Sequence, residues 1–288
     1  MKIDKIQQNS LDNIPVILDF LQARLDKNLK PCTLKSPLTY LERKFNNLDV
    51  RSCVLAYLKI WEKIRKSDHL FLQSQEPNKG LPTCLVCVCL GTSVYCDDVD
   101  LTTLPSLPKE TTYLYARFNK ISDIQSKNFA GLDKLKYVDL SSNFLSEIDD
   151  DAFHLLPSLQ ELILSENQLR RLPELPSSLV RLNVQYNQLQ SSGIRTESFK
   201  DLTRLQFLYL SNNKLDFVPV PLPESLLSIH LQNNNIQTMY KDTFCDSRDP
   251  TFIRSALEDI RLDANPINLS KFANDYFCLP RLPTGQYY

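Results

Sequence analysis

An eleven-residue pattern, L-x-x-L-x-L-x-x-N-x-L, recurs seven times between residues 111 and 267 and constrains the fold more than any other feature of the chain. Its asparagines are Asn119, Asn143, Asn167, Asn187, Asn213, Asn234 and Asn265. The clearest copies are LKYVDLSSNFL (135–145), LQELILSENQL (159–169), LVRLNVQYNQL (179–189) and LQFLYLSNNKL (205–215). Seven matches at intervals of 24, 24, 20, 26, 21 and 31 residues define a structural repeat.

Each position has a physical reading. Alternation such as Leu208-x-Leu210 makes a short strand with one buried face. A unit of this size cannot bury that face alone, so copies stack into a solenoid. The asparagine stands where the chain leaves the strand. Its amide is expected to bond the backbone of its own turn and the next, so that successive asparagines form a ladder that satisfies buried polar groups. The longer units place Phe129, Phe153, Phe199 and Phe244 on the outer side, where they are expected to stack as a second spine. The shorter units carry LPELPSSL (172–179) and VPVPLPESL (218–226), whose prolines suit an extended outer segment. Mixed unit lengths predict uneven curvature. The expected architecture is a leucine-rich repeat solenoid of the α/β class, with a curved parallel sheet on the concave face and an irregular or short-helical convex side.

A stacked solenoid exposes a bare core and an open strand edge at each end, so both ends need caps. The cysteines lie where caps belong. Cys84, Cys87, Cys89 and Cys96, in CLVCVCLGTSVYC, precede the first repeat, and Cys245 and Cys278 bracket the last. A zinc site would pair two C-x2-C knuckles or supply histidines, and neither is present near Cys87 and Cys89. A redox C-x-x-C would need a βαβ context. Disulfide caps at both ends are the reading, with no metal, and they imply an oxidising compartment. Spacing alone leaves open which of three pairings joins the first four cysteines.

Composition removes other classes. With 42% apolar residues and a formal net charge of −1, the 288-residue chain is neither a disordered tail nor a nucleic-acid binder running on bulk charge. Five glycines argue against phosphate-cradling loops and glycine-rich turns, His69, His154 and His230 are too scattered for a metalloprotease motif, and no cofactor is expected. No nucleophile elbow, phosphate loop or dinucleotide fingerprint occurs, and Asp149-Asp150-Asp151 falls in a solvated outer loop, so no enzyme is expected. No apolar run is long enough to span a bilayer.

The C-x2-C-x-C-x6-C cap, about seven repeats, and a long penultimate interval with a Cys at each end resemble the class III small leucine-rich repeat proteoglycans. The resemblance covers residues 81–288 and includes LPTCLVCVCLG, YLYARFNKI, LQSSGI, LQFLYLS, HLQNN, LEDIRLD, NPINLS and YFCLPRLP. It implies a secreted extracellular-matrix protein that binds collagen fibrils and glycosaminoglycans, forms homodimers and, in one member, restrains angiogenesis. It also implies the pairs Cys84–Cys89, Cys87–Cys96 and Cys245–Cys278. The alternatives are another member's type of matrix organiser, a soluble receptor module or an intracellular adaptor. The missing transmembrane segment counts against a receptor and the six cap cysteines against an adaptor. The division that follows is an extension (1–80), an N-terminal cap (81–110), repeats (111–244) and a C-terminal capped unit (245–288).

Residues 1–80 depart from the family, which leads one to expect a signal peptide and then an acidic or Ser/Thr-rich stretch. They carry 14 Lys/Arg against 9 Asp/Glu, while residues 81–288 carry 19 against 25. MKIDKIQQNSLDNIPVILDF has no uninterrupted apolar stretch of the signal-peptide kind. VLAYLKIWEKIRK (54–66) reads as an amphipathic helix with Leu58, Trp61 and Ile64 on overlapping faces. It is a marginal helix, a membrane- or partner-binding helix, or part of an incomplete or mistaken reading of the gene; the cap cysteines need an export route and favour the last. Cys32 and Cys53 stay unassigned, and LQSQEPNKGLP (72–82) reads as a linker.

Strand positions that face away from the core are the candidate partner-binding residues: Tyr113, Tyr115, Arg117, Tyr137, Phe207, Tyr209 and His230. Aromatic residues on a polar face are typical of protein interfaces; the plain alternative is a solvated face with incidental tyrosines. Asn268 heads the only N-x-S/T sequon and is the expected glycosylation site in an exported protein. Arg170-Arg171 and Ser192-Gly193 are weak candidates for sulfated-sugar contact and glycosaminoglycan attachment.

Overall fold

The computed structural model describes residues 83–249, 251 and 253–288. The expected helix at 54–66, Cys32, Cys53, the linker and the extension lie outside the described residues.

The described part opens with one helical turn, α1 (Thr83–Val86), and a hairpin of β1 (Val88–Leu90) and β2 (Ser93–Tyr95). Gly91 makes the hairpin turn at φ 63°, a region that favours glycine. One strand per repeat follows on the inner wall: β3 (Tyr113–Tyr115), β5 (Tyr137–Asp139), β7 (Glu161–Ile163), β8 (Arg181–Asn183), β9 (Phe207–Tyr209), β10 (Ser228–His230) and β11 (Asp259–Arg261). Two short strands, β4 (Asp123–Ile124) and β6 (Glu147–Ile148), pair with each other outside that wall. Among the described residues the main sheet runs β1-β2-β3-β5-β7-β8-β9-β10-β11, parallel throughout except for the β1–β2 hairpin.

Three-residue strands suffice because each buries its central side chain completely. Leu114, Val138, Leu162, Leu182, Leu208 and Ile229 are all 0% exposed. Each such burial is worth about 2 kcal/mol. Together they form one continuous core along the solenoid. The convex side is irregular, with 3-10 turns at Ser126–Asn128, Ser191–Gly193 and Leu269–Asp275.

The asparagine ladder forms, but it reaches back to the preceding unit instead of on to the next. Asn143 Oδ1 accepts from Ile121 N at 3.1 Å, and its Nδ2 donates to Ala116 O at 2.9 Å and to Leu140 O at 3.0 Å. Asn167, Asn187 and Asn213 repeat this with Leu145, Leu169 and Leu189 as donors. The direction follows from the turn: the residue before each asparagine is left-handed, as at Phe118 (φ 56°) and Ser142 (φ 54°), and this swings the amide toward the unit already laid down.

The outer phenylalanines are all buried, yet the expected continuous spine is interrupted. Phe129 and Phe153 lie ring to ring at 5.2 Å. Phe199 is separated from Phe153, and Phe244 from Phe199, by the short units at 172–179 and 218–226, which fill the outer wall with buried Pro173 and Pro176 and with Leu222. A ring spine needs consecutive long units, and only the first two qualify.

Both ends are closed. In the N-terminal cap Cys84 is bonded to Cys89 and Cys87 to Cys96. In the last unit Cys245 is bonded to Cys278 across 33 residues. Beside it, buried Arg254 donates to the carbonyls of Leu222, Pro223 and Phe244, and burial lowers its pKa. The outer edge of β11 is covered by the tail: Leu262 N donates to Thr284 O and Thr284 N to Ile260 O, each at 2.8 Å. Gly285 lies close under the core here: a Cβ would come within 2.8 Å of a Leu269 methyl, which would have to shift.

Candidate binding face

The register of the parallel sheet turns isolated positions into rows. One row reads Tyr113, Tyr137, Glu161, Arg181, Phe207, Ser228, Asp259. The second reads Tyr95, Tyr115, Asp139, Ile163, Asn183, Tyr209, His230, Arg261. Aromatic residues collect at the two ends of these rows, with Glu161, Ile163 and Asn183 between.

At the N-terminal end, Tyr95 and Tyr115 stack at 4.9 Å with their planes 1° apart. Tyr137 packs on Tyr115 at 4.9 Å and near Tyr113 at 6.4 Å. Burial raises the Tyr137 phenol far above its ordinary value, with the Asp139 carboxylate adding to the effect, and burial raises Tyr115 as well. These hydroxyls stay protonated at physiological pH and act as hydrogen-bond groups. Tyr137 donates to Asp139 Oδ2 at 3.3 Å, and Asp139 also accepts from Ser141 Oγ at 2.7 Å. Arg117 is less available than its strand position suggests. Its guanidinium is held on Asp97 by two bonds, of 3.1 and 2.6 Å, and the hydrogen bond to Asp97 is the main reason its pKa is raised.

At the C-terminal end, Arg181 lies over the Phe207 ring at 4.7 Å, and Tyr209 packs against His230 at 4.6 Å. Asp259 organises the polar groups: it accepts from Ser228 Oγ at 3.0 Å, from His230 Nε2 at 2.9 Å and from Arg261 Nε at 2.9 Å. Burial pushes this carboxyl up, but the bonds from Arg261, His230 and Ser228 outweigh it and hold the pKa below the ordinary value. Ser228 and His230 both bond the same carboxylate, so serine, histidine and aspartate here form an anchor for side chains and not a nucleophile–base relay. An open depression of about 630 Å³ lies beside them, lined in part by Phe207, Tyr209, His230 and Arg261.

Sequence reasoning placed Tyr113, Tyr115, Tyr137, Phe207, Tyr209 and His230 on this face and missed Tyr95. That residue belongs to the cap strand β2, which lacks the leucine template; only the alternation of Ser93, Val94 and Tyr95 marks it. Two residues of the weak sugar candidates have structural roles. Arg171 is paired with Asp150, which also binds Arg195. Gly193 is required because a Cβ there would sit 2.0 Å from the Arg170 carbonyl oxygen. Asn268 caps the last 3-10 turn, its side chain accepting from Ser270 N at 3.0 Å. Among the described residues no group of His, Cys, Asp or Glu is arranged to hold a metal ion.

Leucine rich repeat family models match residues 109–169 and 204–226. Opticin of Mus musculus is 62% identical over 216 residues, covering 75% of this chain and 66% of opticin. Mimecan of Mus musculus is 49% identical over 217 residues, covering 75% of this chain and 73% of mimecan. The chain belongs to the class III small leucine-rich repeat proteoglycans. Epiphycan of Gallus gallus is 59% identical over 206 residues, covering 72% of this chain and 65% of epiphycan. The chain thus spans about two thirds of the length of the opticin and epiphycan it matches. Its opticin-like character, legible in LPTCLVCVCLG and YFCLPRLP, accords with these identities. Solved structures share the fold alone. A chain of the octameric complex of Latrophilin 3, Unc5D and FLRT2 superposes with a TM-score of 0.52 at 24% identity, covering 68% of this chain and 57% of that one. A Shigella effector LRR domain superposes at 0.50 and 21% identity, covering 68% and 81%.

Proposed function

We propose that this proteoglycan is a secreted extracellular-matrix protein whose concave face is its partner-binding surface, pairing first with a second copy of the chain. The observation that carries the reading is the register that places two aromatic clusters, around Tyr115 and around Tyr209, at the two ends of one polar face. Large amphipathic rings on such a surface are the side chains most often found at the energetic centre of interfaces. Collagen fibrils and glycosaminoglycans are the further partners that the family resemblance suggests, with restraint of angiogenesis as an opticin-like outcome. Catalysis, metal and nucleic acid have no part in this reading. Among the described residues no helix is long and apolar enough to cross a membrane.

The test is sedimentation of Tyr115→Ala/Tyr209→Ala, with circular dichroism to confirm folding. Both rings lie outside the leucine core, so the fold should survive. Losing two rings that each contribute on the order of 2 kcal/mol should weaken association well over tenfold. A double variant that associates like the parent refutes the homodimer assignment. A collagen-binding assay on the same protein then separates loss of a fibril contact from a face with no partner.

A further inference from the structure

The sequon Asn268-Leu269-Ser270 lies against the tail that closes the solenoid. Asn268 Oδ1 accepts from Ser270 N at 3.0 Å, and the Asn268 carbonyl accepts from Lys271 N at 3.2 Å. Asn268 Nδ2, the atom that would carry a sugar, has no hydrogen-bond partner among the described residues. Asn268 is half-buried and Ser270 exposed. The turn thus fixes the side chain by its oxygen and leaves the acceptor nitrogen uncommitted.

The next residue ties this turn to the tail. Leu269 N donates to Gln286 O at 2.9 Å, and Gly285 lies against the buried Leu269 side chain. Asn268 precedes the donor and Tyr287 follows the acceptor, so their backbones stand within about 8 Å of each other. Two rings of the tail are held here, and the core uses little of either. Tyr287 is 46% exposed, with its hydroxyl on Pro283 O at 2.7 Å. Tyr288 is 77% exposed, with its hydroxyl on Gln286 Oε1. The negative face of an aromatic ring attracts the weakly positive C–H groups of a pyranose.

We infer that the first N-acetylglucosamine of a glycan on Asn268 lies on the Tyr287–Tyr288 pair and clamps the tail against the last repeat. Its attachment joins Nδ2 to the anomeric carbon of the sugar. The lipid-linked pyrophosphate of the donor leaves with the electrons of the C–O bond, and one amide proton is released. The other N–H stays on Nδ2, and Oδ1 keeps its bond from Ser270 N. The clamp acts on the edge bonds of β11, Thr284 N to Ile260 O and Leu262 N to Thr284 O. Only a closed tail brings the rings to the sugar, so the contact favours closure. The inference rests on the reading of the chain as exported and uses no residue of the concave rows.

The experiment uses the full chain exported from a eukaryotic cell whose glycans stay at the oligomannose stage. An endoglycosidase then trims the glycan to its single N-acetylglucosamine. Ser270→Ala is the unglycosylated control, because it removes the sequon and keeps the backbone N–H at position 270 that bonds Asn268. In proton NMR, the ring current should place the acetyl methyl of the retained sugar upfield of its position in the unfolded chain. Amide exchange at Thr284 should be about fivefold slower than in Ser270→Ala. Tyr287→Phe/Tyr288→Phe should keep both effects, and Tyr287→Ser/Tyr288→Ser should lose both. Each pair is compared with its own Ser270→Ala form, so that any loosening by the substitution itself cancels. Should the serine pair misfold, the methyl shift and the Ser270→Ala comparison in the parent decide alone. A mass spectrum showing Asn268 bare overturns the inference through the export reading. An occupied Asn268 with an unshifted methyl, exchange at Thr284 indifferent to the sugar, or effects that survive the serine pair overturn the seat itself.

Discussion

Asn167→Ala isolates what one rung of the ladder contributes. Asn167 is 8% exposed, its Oδ1 accepts from Leu145 N at 2.9 Å, and its Nδ2 donates to Leu140 O at 3.0 Å and Leu164 O at 3.1 Å. Alanine strands the Leu145 N–H and removes a donor from two carbonyls where water does not reach. An unpaired buried N–H costs about 1–3 kcal/mol, while Leu140 O and Leu164 O keep their bonds from Asn143 and Asn187, so the loss is about 2–3 kcal/mol. Asn234 makes the same set of bonds, to Leu215 N, Leu210 O and Leu231 O at 3.0 Å each, but is only half-buried. Water can take over its role, so Asn234→Ala should cost about 1–2 kcal/mol. In urea, with a slope near 3 kcal/mol per M, the midpoint should fall by about 0.8 M for Asn167→Ala and by at most about 0.5 M for Asn234→Ala. Unfolding is followed by circular dichroism with the disulfides kept oxidised. Asn167→Asp keeps the acceptor, loses both donors and buries a charge, so it should be at least as damaging. Equal costs at the two positions, or a silent Asn167→Asp, would refute the claim that these amides satisfy the turns.

Loop entropy ranks the disulfides: closing 33 residues is worth about 3–4 kcal/mol, against about 2–3 for the cap pairs that close 5 and 9. Cys245→Ser should therefore lower the melting temperature more than Cys84→Ser, and the reverse order in a thermal melt would count against this account. Asn268 should carry an N-linked glycan in protein exported from a eukaryotic cell; gel mobility unchanged by glycosidase, or identical in Asn268→Gln, would show the site unused. The bonds from Arg261, His230 and Ser228 hold the Asp259 carboxyl below the ordinary carboxylate value, so its stabilisation is full above the unfolded pKa and is lost as pH falls through the folded one. Asp259→Asn should thus be less stable than the parent at pH 7, with the gap closing below about pH 3.8; a gap that stays constant into acid would contradict the Ser228, His230 and Arg261 bonds.

Periodicity made the solenoid legible, because Leu114, Leu162 and Leu208 must all point to one core and their spacing says so. The same counting put Tyr115, Tyr137 and Tyr209 on the opposite face. What stayed hidden depends on contacts between units. Tyr95 was missed because a cap strand buries Val94 without using leucine. The grip of Asp97 on Arg117 joins residues 20 apart and has no periodic signature. Arg254 read as an ordinary charged residue, since nothing in its neighbourhood of sequence announces that three carbonyls from 10 to 32 residues away converge on it. The broken phenylalanine spine was implicit in the unit lengths, but only stacking shows that a short unit pushes two rings apart.

The strap that Thr284 lays along β11 has a consequence for the order of events during synthesis. The N-terminal cap emerges before the repeats and can seal its end at once. From the completion of β11 until Gln286 is made, the newest strand offers its backbone to any neighbour. That interval covers about 25 residues, on the order of 1–5 s at roughly 5–20 residues per second. Nascent chains crowded on one message are thus most exposed to joining edge to edge in the interval between β11 and its strap.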